Sequence, residues 1–201
     1  MIRFCKKLFV ILLFAALTAA GLVLWMAPDT GYQLQSWFAL GRFSAYDAMI
    51  ADAARKHGLD PLLVKAMVWR ESAFDPSKVG TSGERGLMQV SEAAAQDWAA
   101  AEKIETFVPT DLFDAKTNLE VGTWYFKKGL ERWKQKADPV PFALADYNAG
   151  HRTVERWIAA TERGDDAVAE NLMRAIDFPT TRKYIESILS RYDFYKDGAK
   201  E

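Results

Sequence analysis

His57-Gly58-Leu59-Asp60-Pro61-Leu62-Leu63-Val64-Lys65-Ala66-Met67-Val68-Trp69-Arg70-Glu71 is the stretch that decides how this chain folds. Gly58 is placed to end a helix in a left-handed cap. Asp60-Pro61 restarts one at once, with Asp60 as N-cap and Pro61 at the first helical position. Upstream, Tyr46, Met49, Ile50, Ala53, Ala54 and His57 fall at i, i+3, i+4, i+7, i+8 and i+11, one apolar stripe whose start Ser44 can cap. Two helices joined by so few residues fold back on each other as an αα-hairpin.

Downstream, the periodicity predicts helices at about 91–102, 116–134, 139–147, 151–163, 165–175 and 180–194. No segment alternates apolar and polar residues with a hairpin turn, so the domain is expected to be all-α. The stretch 75–89 carries Gly80, Gly83 and Gly86 and reads as a shaped loop rather than regular helix.

Ahead of the hairpin, Leu8 to Met26 is an uncharged run, preceded by Arg3, Lys6 and Lys7 and closed by Pro28-Asp29. As a helix, at about 1.5 Å rise per residue, it spans roughly the hydrocarbon core of a bilayer, and the flanking charges put the N-terminus in the cytoplasm. Removal as a signal peptide near Ala19-Ala20-Gly21 or Ala27 is the competing reading. The length of the run and the lack of a clean A-x-A site favour an uncleaved anchor. We therefore expect a single N-terminal transmembrane helix within residues 1–27 and a juxtamembrane spacer over 28–45. The folded domain would occupy 46–197. Cys5 is the only cysteine and precedes the apolar run, so neither a lipidated cysteine after it nor a disulfide within the chain is available.

The chain has 201 residues and a net charge of -1, half of them hydrophobic, with seven Trp. Without Arg3, Lys6 and Lys7, 23 basic face 27 acidic side chains, which offers no electrostatic footprint for nucleic acid. His57 and His151 are the only histidines and lie at no metal-ligand spacing, so no metal or other cofactor is expected.

The second helix holds the residue with the most chemical promise. Val64, Met67, Val68 and Glu71 occupy i, i+3, i+4 and i+7, which sets a carboxylate on an apolar stripe. Apolar surroundings disfavour its charged form and raise its pKa, and a carboxyl protonated near neutral pH can donate a proton. The alternative is a glutamate near a helix end that turns to water or pairs with Arg70. In Gly86-Leu87-Met88-Gln89-Val90 an amide sits between apolar neighbours, able to bond a sugar hydroxyl or acetamide, or to tie down the loop backbone. The loop lacks the Lys-Ser/Thr ending of a phosphate cradle. In Ala145-Asp146-Tyr147-Asn148-Ala149-Gly150, small residues around Tyr147 and Asn148 suggest a close helix contact that brings a phenol and an amide together. A core tyrosine and an asparagine capping the next helix is the other reading. Ser72 lacks a Gly-x-Ser-x-Gly setting and a partner histidine. Trp69, Trp98, Trp124, Trp133 and Trp157 could stack on sugars, though at helical spacing most belong to the core.

Taken together, Glu71-Ser72-Ala73-Phe74-Asp75-Pro76, Gly86-Leu87-Met88-Gln89 and Tyr147-Asn148-Ala149-Gly150 resemble, in order and rough spacing, the soluble-type lytic transglycosylases, relatives of goose-type lysozymes. The resemblance continues through Asn118-Leu119, Gly122, Tyr125-Phe126 and Thr181-Arg182-Lys183-Tyr184-Ile185, and covers about 46–195. It implies a lysozyme-like helical domain that cuts the MurNAc–GlcNAc bond of peptidoglycan without water. Glu71 would be the single catalytic acid and then base. Met88, Gln89, Tyr147, Asn148 and Tyr184 would line or contact the saccharide site, with no dedicated second carboxylate. Peptidoglycan strands and the inner membrane are the implied partners, with the catalytic domain in the periplasm. A hydrolytic muramidase and a non-catalytic peptidoglycan-binding scaffold are the alternatives. Three positions depart from the family pattern. Gly80 stands where many relatives place a serine, leaving its polar contact to Thr81 or Ser82 if it is supplied at all. Thr180 stands where an acidic residue is common. Asp146 replaces a small residue, and would be a second carboxylate if it faced the cleft, or inert if it faced solvent.

Overall fold

The computed structural model describes residues 41, 43–164 and 167–198. The expected transmembrane helix lies outside the described residues, as does nearly all of the spacer. Among the described residues no helix is long and apolar enough to cross a membrane.

The αα-hairpin forms as the local signals require. Helix α1, Asp47–Lys56, is followed by Gly58 at φ +64°. The N–H of Leu59 reaches back to the carbonyl of Ala54 (2.8 Å) and that of Gly58 to Arg55 (3.1 Å), which closes the helix in a Schellman turn. Helix α2, Pro61–Ser72, starts on Asp60, whose side chain accepts from the N–H of Leu62 at 2.8 Å. Ser44 does not cap α1; its hydroxyl donates to the carbonyl of Gly41, and the helix begins without a side-chain cap.

Helix α3 is Glu92–Ala101, and a short 3-10 turn, Pro109–Phe113, leads into α4, Ala115–Arg132. Then come α5, Val140–Ala149; α6, His151–Ala159; α7, Ala169–Ala175; and α8, Pro179–Gly198. Asp114 caps α4 by accepting from both the N–H and the hydroxyl of Thr117, each at 2.8 Å. Of the segment expected as a helix over 165–175, Ala169–Ala175 is helical, with the Val168 N–H ahead of it donating to Asn171 Oδ1 at 3.1 Å, while 165 and 166 lie outside the described residues.

Helix α2 is the central element, packed against α1 on one side and α8 on another. Leu63, Val64, Ala66, Met67 and Val68 are all buried, so the covered face of α2 is broader than the single stripe the sequence suggests. Its last turn carries Glu71 to the edge of this core. Helix α4 packs on α5, with Gly129 against Ala143, and on α1. Helix α5 also meets α6 and α8, so the carboxyl end of α2, the carboxyl end of α5 and the start of α8 converge. Fully buried Phe74, Phe126, Phe142 and Trp157 fill the spaces between helices, each large apolar side chain contributing about 1.5–3 kcal/mol. The eight helices of the described residues lie within the compact unit Tyr46–Glu201.

Candidate active site

The cleft is built around an abrupt end to α2. Immediately after Glu71-Ser72, Ala73 (φ +50°) and Phe74 (φ +62°) both enter the left-handed region, which for non-glycine residues costs about 1–3 kcal/mol each. The reversal is held by the fully buried ring of Phe74 and by Ser72. The Ser72 hydroxyl lies 2.8 Å from the carbonyl of Leu87 and 3.2 Å from that of Val68. Ser72 thus fastens the loop to the helix and is no nucleophile.

The loop that follows doubles back through single antiparallel pairings of Val79 with Arg85 and Arg85 with Val90. Its anchor is Asn118, wholly buried on α4. Asn118 accepts from the N–H of Met88 (2.8 Å) and donates to the carbonyls of Arg85 (2.7 Å) and Leu112 (2.8 Å). Gly86 sits at φ +76° against this amide. A Cβ there would stand 2.3 Å from Asn118 Nδ2 and 2.4 Å from the Leu112 carbonyl, so only glycine fits. No pattern in the sequence flagged the anchoring role of Asn118 beyond its place in the family resemblance, since a buried amide is recognisable only from what surrounds it.

An open cleft of about 410 Å³ results, with Glu71, Gln89, Tyr147, Asn148 and Tyr184 all in its wall. Four of the five residues expected at the saccharide site are therefore gathered around Glu71. Met88 is not on the wall. Its side chain is fully buried against Gly122, where a Cβ would come within 2.5 Å of the sulfur. Only the Met88 carbonyl is engaged locally, accepting from the Tyr147 hydroxyl at 2.9 Å. Met88, expected among the residues that line or contact the saccharide site, thus has its side chain beneath the loop and not on the cleft wall. Gln89, at φ +48°, ties the loop through Nε2, which donates to the carbonyls of Lys78 and Gly86, each at 3.0 Å. The Gln89 nitrogen thus secures the loop, and its side chain also stands in the cleft wall. Asn148 is exposed and does not cap α6; its Oδ1 accepts from the Thr181 hydroxyl at 2.8 Å, which leaves its N–H₂ to donate.

Glu71 is held by Tyr184, whose hydroxyl donates to Oε1 at 2.6 Å. Burial raises the Glu71 pKa to about 7, against the opposing pull of the Tyr184 hydrogen bond and of the Arg70 and Lys78 charges, with Glu84 adding to the rise. The Lys78 ammonium donates to the main-chain carbonyl of Glu71, and the Arg70 guanidinium lies over the Tyr184 ring at 5.6 Å. Burial, with the nearby Glu71 charge second, pushes the Tyr147 and Tyr184 hydroxyls well above the ordinary tyrosine value, so both remain donors. Glu71 is thus a carboxyl with both protonation states within reach near neutral pH and a phenol hydrogen-bonded to one oxygen, able to give a proton and to take one back.

Asp146 faces neither cleft nor solvent. It is 2% exposed and accepts from the Arg132 guanidinium and, at 3.0 Å, from the Trp133 indole N–H, so it closes the α4–α5 junction. Trp98, Trp133 and Trp157 are buried, and the described part of the cleft wall carries tyrosines rather than tryptophan. His57 packs with Nε2 3.0 Å from Glu120, away from the cleft. Among the described residues no group of His, Cys, Asp and Glu could hold a metal ion.

Fold and site together define an all-helical, lysozyme-like domain with a half-buried carboxyl in its cleft, at the end of the central helix. Residues 48–169 match the family described as the Transglycosylase SLT domain, and the chain belongs to that family. It is similar to the membrane-bound lytic murein transglycosylase F of Desulfosudis oleivorans, 29% identical over 177 residues, covering 77% of this chain and 37% of that one. It is also similar to the soluble lytic murein transglycosylase of Salmonella typhimurium, 30% identical over 160 residues, covering 78% and 24%. An inactive mutant of the lytic transglycosylase Slt from Pseudomonas aeruginosa superposes with a TM-score of 0.68 at 24% identity, over 78% of this chain and 24% of the other. A 70-kDa soluble lytic transglycosylase in complex with bulgecin A gives a TM-score of 0.68 at 25% identity, over 80% and 25%. The chain spans well under half the length of these relatives.

Proposed function

We propose that this chain is a peptidoglycan lytic transglycosylase that cleaves the MurNAc-β-1,4-GlcNAc bond and leaves a 1,6-anhydro-MurNAc end. The observation that carries the reading is the Glu71 carboxyl, largely enclosed, bonded to Tyr184 and raised to about 7 in a cleft whose wall sets Gln89, Tyr147, Asn148 and Tyr184 beside the charged Arg70, Lys78 and Glu84. A catalytic group does best with a pKa near the working pH, because both of its protonation states are then accessible. In its protonated form Glu71 donates to the bridging oxygen as the bond from that oxygen to the MurNAc C1 breaks, and the GlcNAc departs with a free 4-hydroxyl. As a carboxylate steadied by Tyr184, it then takes the proton of the MurNAc 6-hydroxyl while that oxygen bonds to C1. The proton returns to Glu71 and no water is consumed. Gln89, Tyr147, Asn148 and Tyr184 hold the saccharide by hydrogen bonds.

With Asp146 engaged by Arg132 and Trp133, the one feature favouring a hydrolytic muramidase is otherwise accounted for. Residues 1–27 anchor the chain in the inner membrane, 28–45 space it from the bilayer, and 46–197 act on the wall in the periplasm. The uncharged run from Leu8 to Met26 and the membrane-bound relatives support this. Recovery of the intact N-terminus in the membrane fraction is expected, and a mature chain starting after Ala20 or Ala27 contradicts the anchor. For the activity, purified sacculi are incubated with the chain and with Glu71→Gln. Wild type should release soluble fragments and Glu71→Gln should release them about 10²–10⁴-fold more slowly. Wild-type binding to sacculi without any release would show a scaffold instead.

A further inference from the structure

Glu84 has no part in the reaction as described, yet it stands in the wall of the same cleft as Glu71. A carboxylate at a loop tip is ordinarily a solvated surface charge. Here the turn from Gly80 to Glu84 folds it inward: the Gly80 N–H donates to the Glu84 carbonyl at 2.8 Å, and the Ser82 N–H donates to Glu84 Oε2 at 3.1 Å. The carboxylate consequently lies over Gly80. A Cβ on residue 80 would stand 2.3 Å from Glu84 Oε2 and 2.9 Å from Gln89 Oε1. The missing side chain at position 80 is what admits the carboxylate to the wall beside the Gln89 oxygen. Neither Thr81 nor Ser82 fills that place with its side chain, and both are exposed.

Two acceptor groups are therefore set side by side without a donor between them. The Gln89 nitrogen is already spent on the carbonyls of Lys78 and Gly86, and the Lys78 ammonium on the main chain of Glu71. Glu84 Oε1 accepts no hydrogen bond from the described residues. Adjacent acceptors facing an open cleft suit a ligand rich in hydroxyl and N–H groups.

We propose that Glu84 is a saccharide-binding residue of this cleft, its carboxylate accepting a hydrogen bond from a hydroxyl or acetamide N–H of the glycan. The proposal rests on the reading of the cleft as a glycan site. The carboxylate has a second effect through its charge. The charged and titratable groups facing Glu71 are Arg70 on its own helix, Lys78 and Glu84 on the loop, Tyr147 on α5 and Tyr184 on α8. Glu84 is the anion among them and favours the proton-donating form of Glu71.

The test uses full-length chain in the inactive Glu71→Gln background, titrated by calorimetry with an alternating GlcNAc–MurNAc tetrasaccharide. Adding Glu84→Ala should weaken binding about tenfold to a hundredfold, the scale for a hydrogen bond to a charged group. Adding Gly80→Ser instead should weaken it similarly, because the new side chain displaces the mobile end of Glu84 without straining the backbone. In the active chain, Glu84→Gln keeps the shape and removes the charge, and should move the alkaline limb of the pH–rate profile to lower pH. Unchanged affinity in both double variants, with an unmoved limb, overturns the proposal. Failure of Glu71→Gln itself to bind the tetrasaccharide overturns the cleft reading beneath it.

Discussion

The hydroxyl of Tyr184 donates to Oε1 of Glu71 across 2.6 Å, joining residues 113 positions apart from the start of α8 and the end of α2. The phenol donates to a carboxylate oxygen, a stronger acceptor when Glu71 is ionised, so the bond favours the carboxylate and opposes the burial that favours the acid. Tyr184→Phe removes that opposition. The Glu71 pKa should rise above its present value of about 7, and the alkaline limb of the pH–rate profile should move to higher pH. The maximal rate should drop about tenfold, since the carboxylate that acts as base loses a charge-assisted hydrogen bond. Rates of fragment release from sacculi across pH measure both effects; a limb that stays in place or moves down contradicts this role for Tyr184.

The same carboxyl should make the fold pH-sensitive. Its pKa of about 7 in the folded chain lies above the value of about 4.3 for an unfolded glutamate. Between these values the folded state holds the extra proton, so the contribution of Glu71 to stability is greatest below about pH 4 and is lost as pH rises to about 7. Glu71→Gln has no such proton to lose. It should be more stable than wild type at pH 8 by up to about 3 kcal/mol, and the difference should vanish near pH 4. Urea unfolding at the two pH values decides it, and a difference that does not change with pH contradicts the raised pKa.

Asn118→Ala would leave the Met88 N–H and the Arg85 and Leu112 carbonyls without their partner in the interior. Each buried polar group left unsatisfied costs about 1–3 kcal/mol, so a loss of about 3 kcal/mol or more is expected. The loop carrying Gln89 would shift with it, lowering the rate even where the variant is fully folded. Urea midpoints and sacculus digestion, taken together, test this. An Asn118→Ala chain with wild-type stability would contradict the anchoring role.

Asp146→Asn keeps an acceptor for the Trp133 indole but strips Arg132 of its counter-charge. The Arg132 side chain is 37% exposed and can turn to water, so the cost should be about 1–3 kcal/mol, below that of a fully buried pair. The type of product and the shape of the pH–rate profile should not change. A switch in product ends would return Asp146 to the chemistry.

The αα-hairpin was legible because its determinants are local: a left-handed turn at Gly58 and an Asp60-Pro61 restart act within a few residues of where they stand. The placing of Glu71 on an apolar face was legible for the same reason, as helical spacing alone sets which neighbours it shares. What spacing could not reveal is the direction of a side chain whose surroundings come from far along the chain. Met88 is turned inward by Asn118 and Gly122, thirty and more residues later, and Asp146 by Arg132 and Trp133 at the end of a neighbouring helix. The departure at Gly80 likewise made sense only with Glu84 folded over it. Tyr184 was expected near the acid from resemblance; its hydrogen bond to Glu71 required the packing of α8 on α2.

The central claim is that Glu71 serves as acid and then as base, with the MurNAc 6-hydroxyl rather than water as the attacking group. Mass spectrometry of the muropeptides released from sacculi by the wild-type chain tests it most directly. The expected result is fragments ending in 1,6-anhydro-MurNAc, absent from the Glu71→Gln digest. Fragments ending in reducing MurNAc, one water heavier, would contradict it.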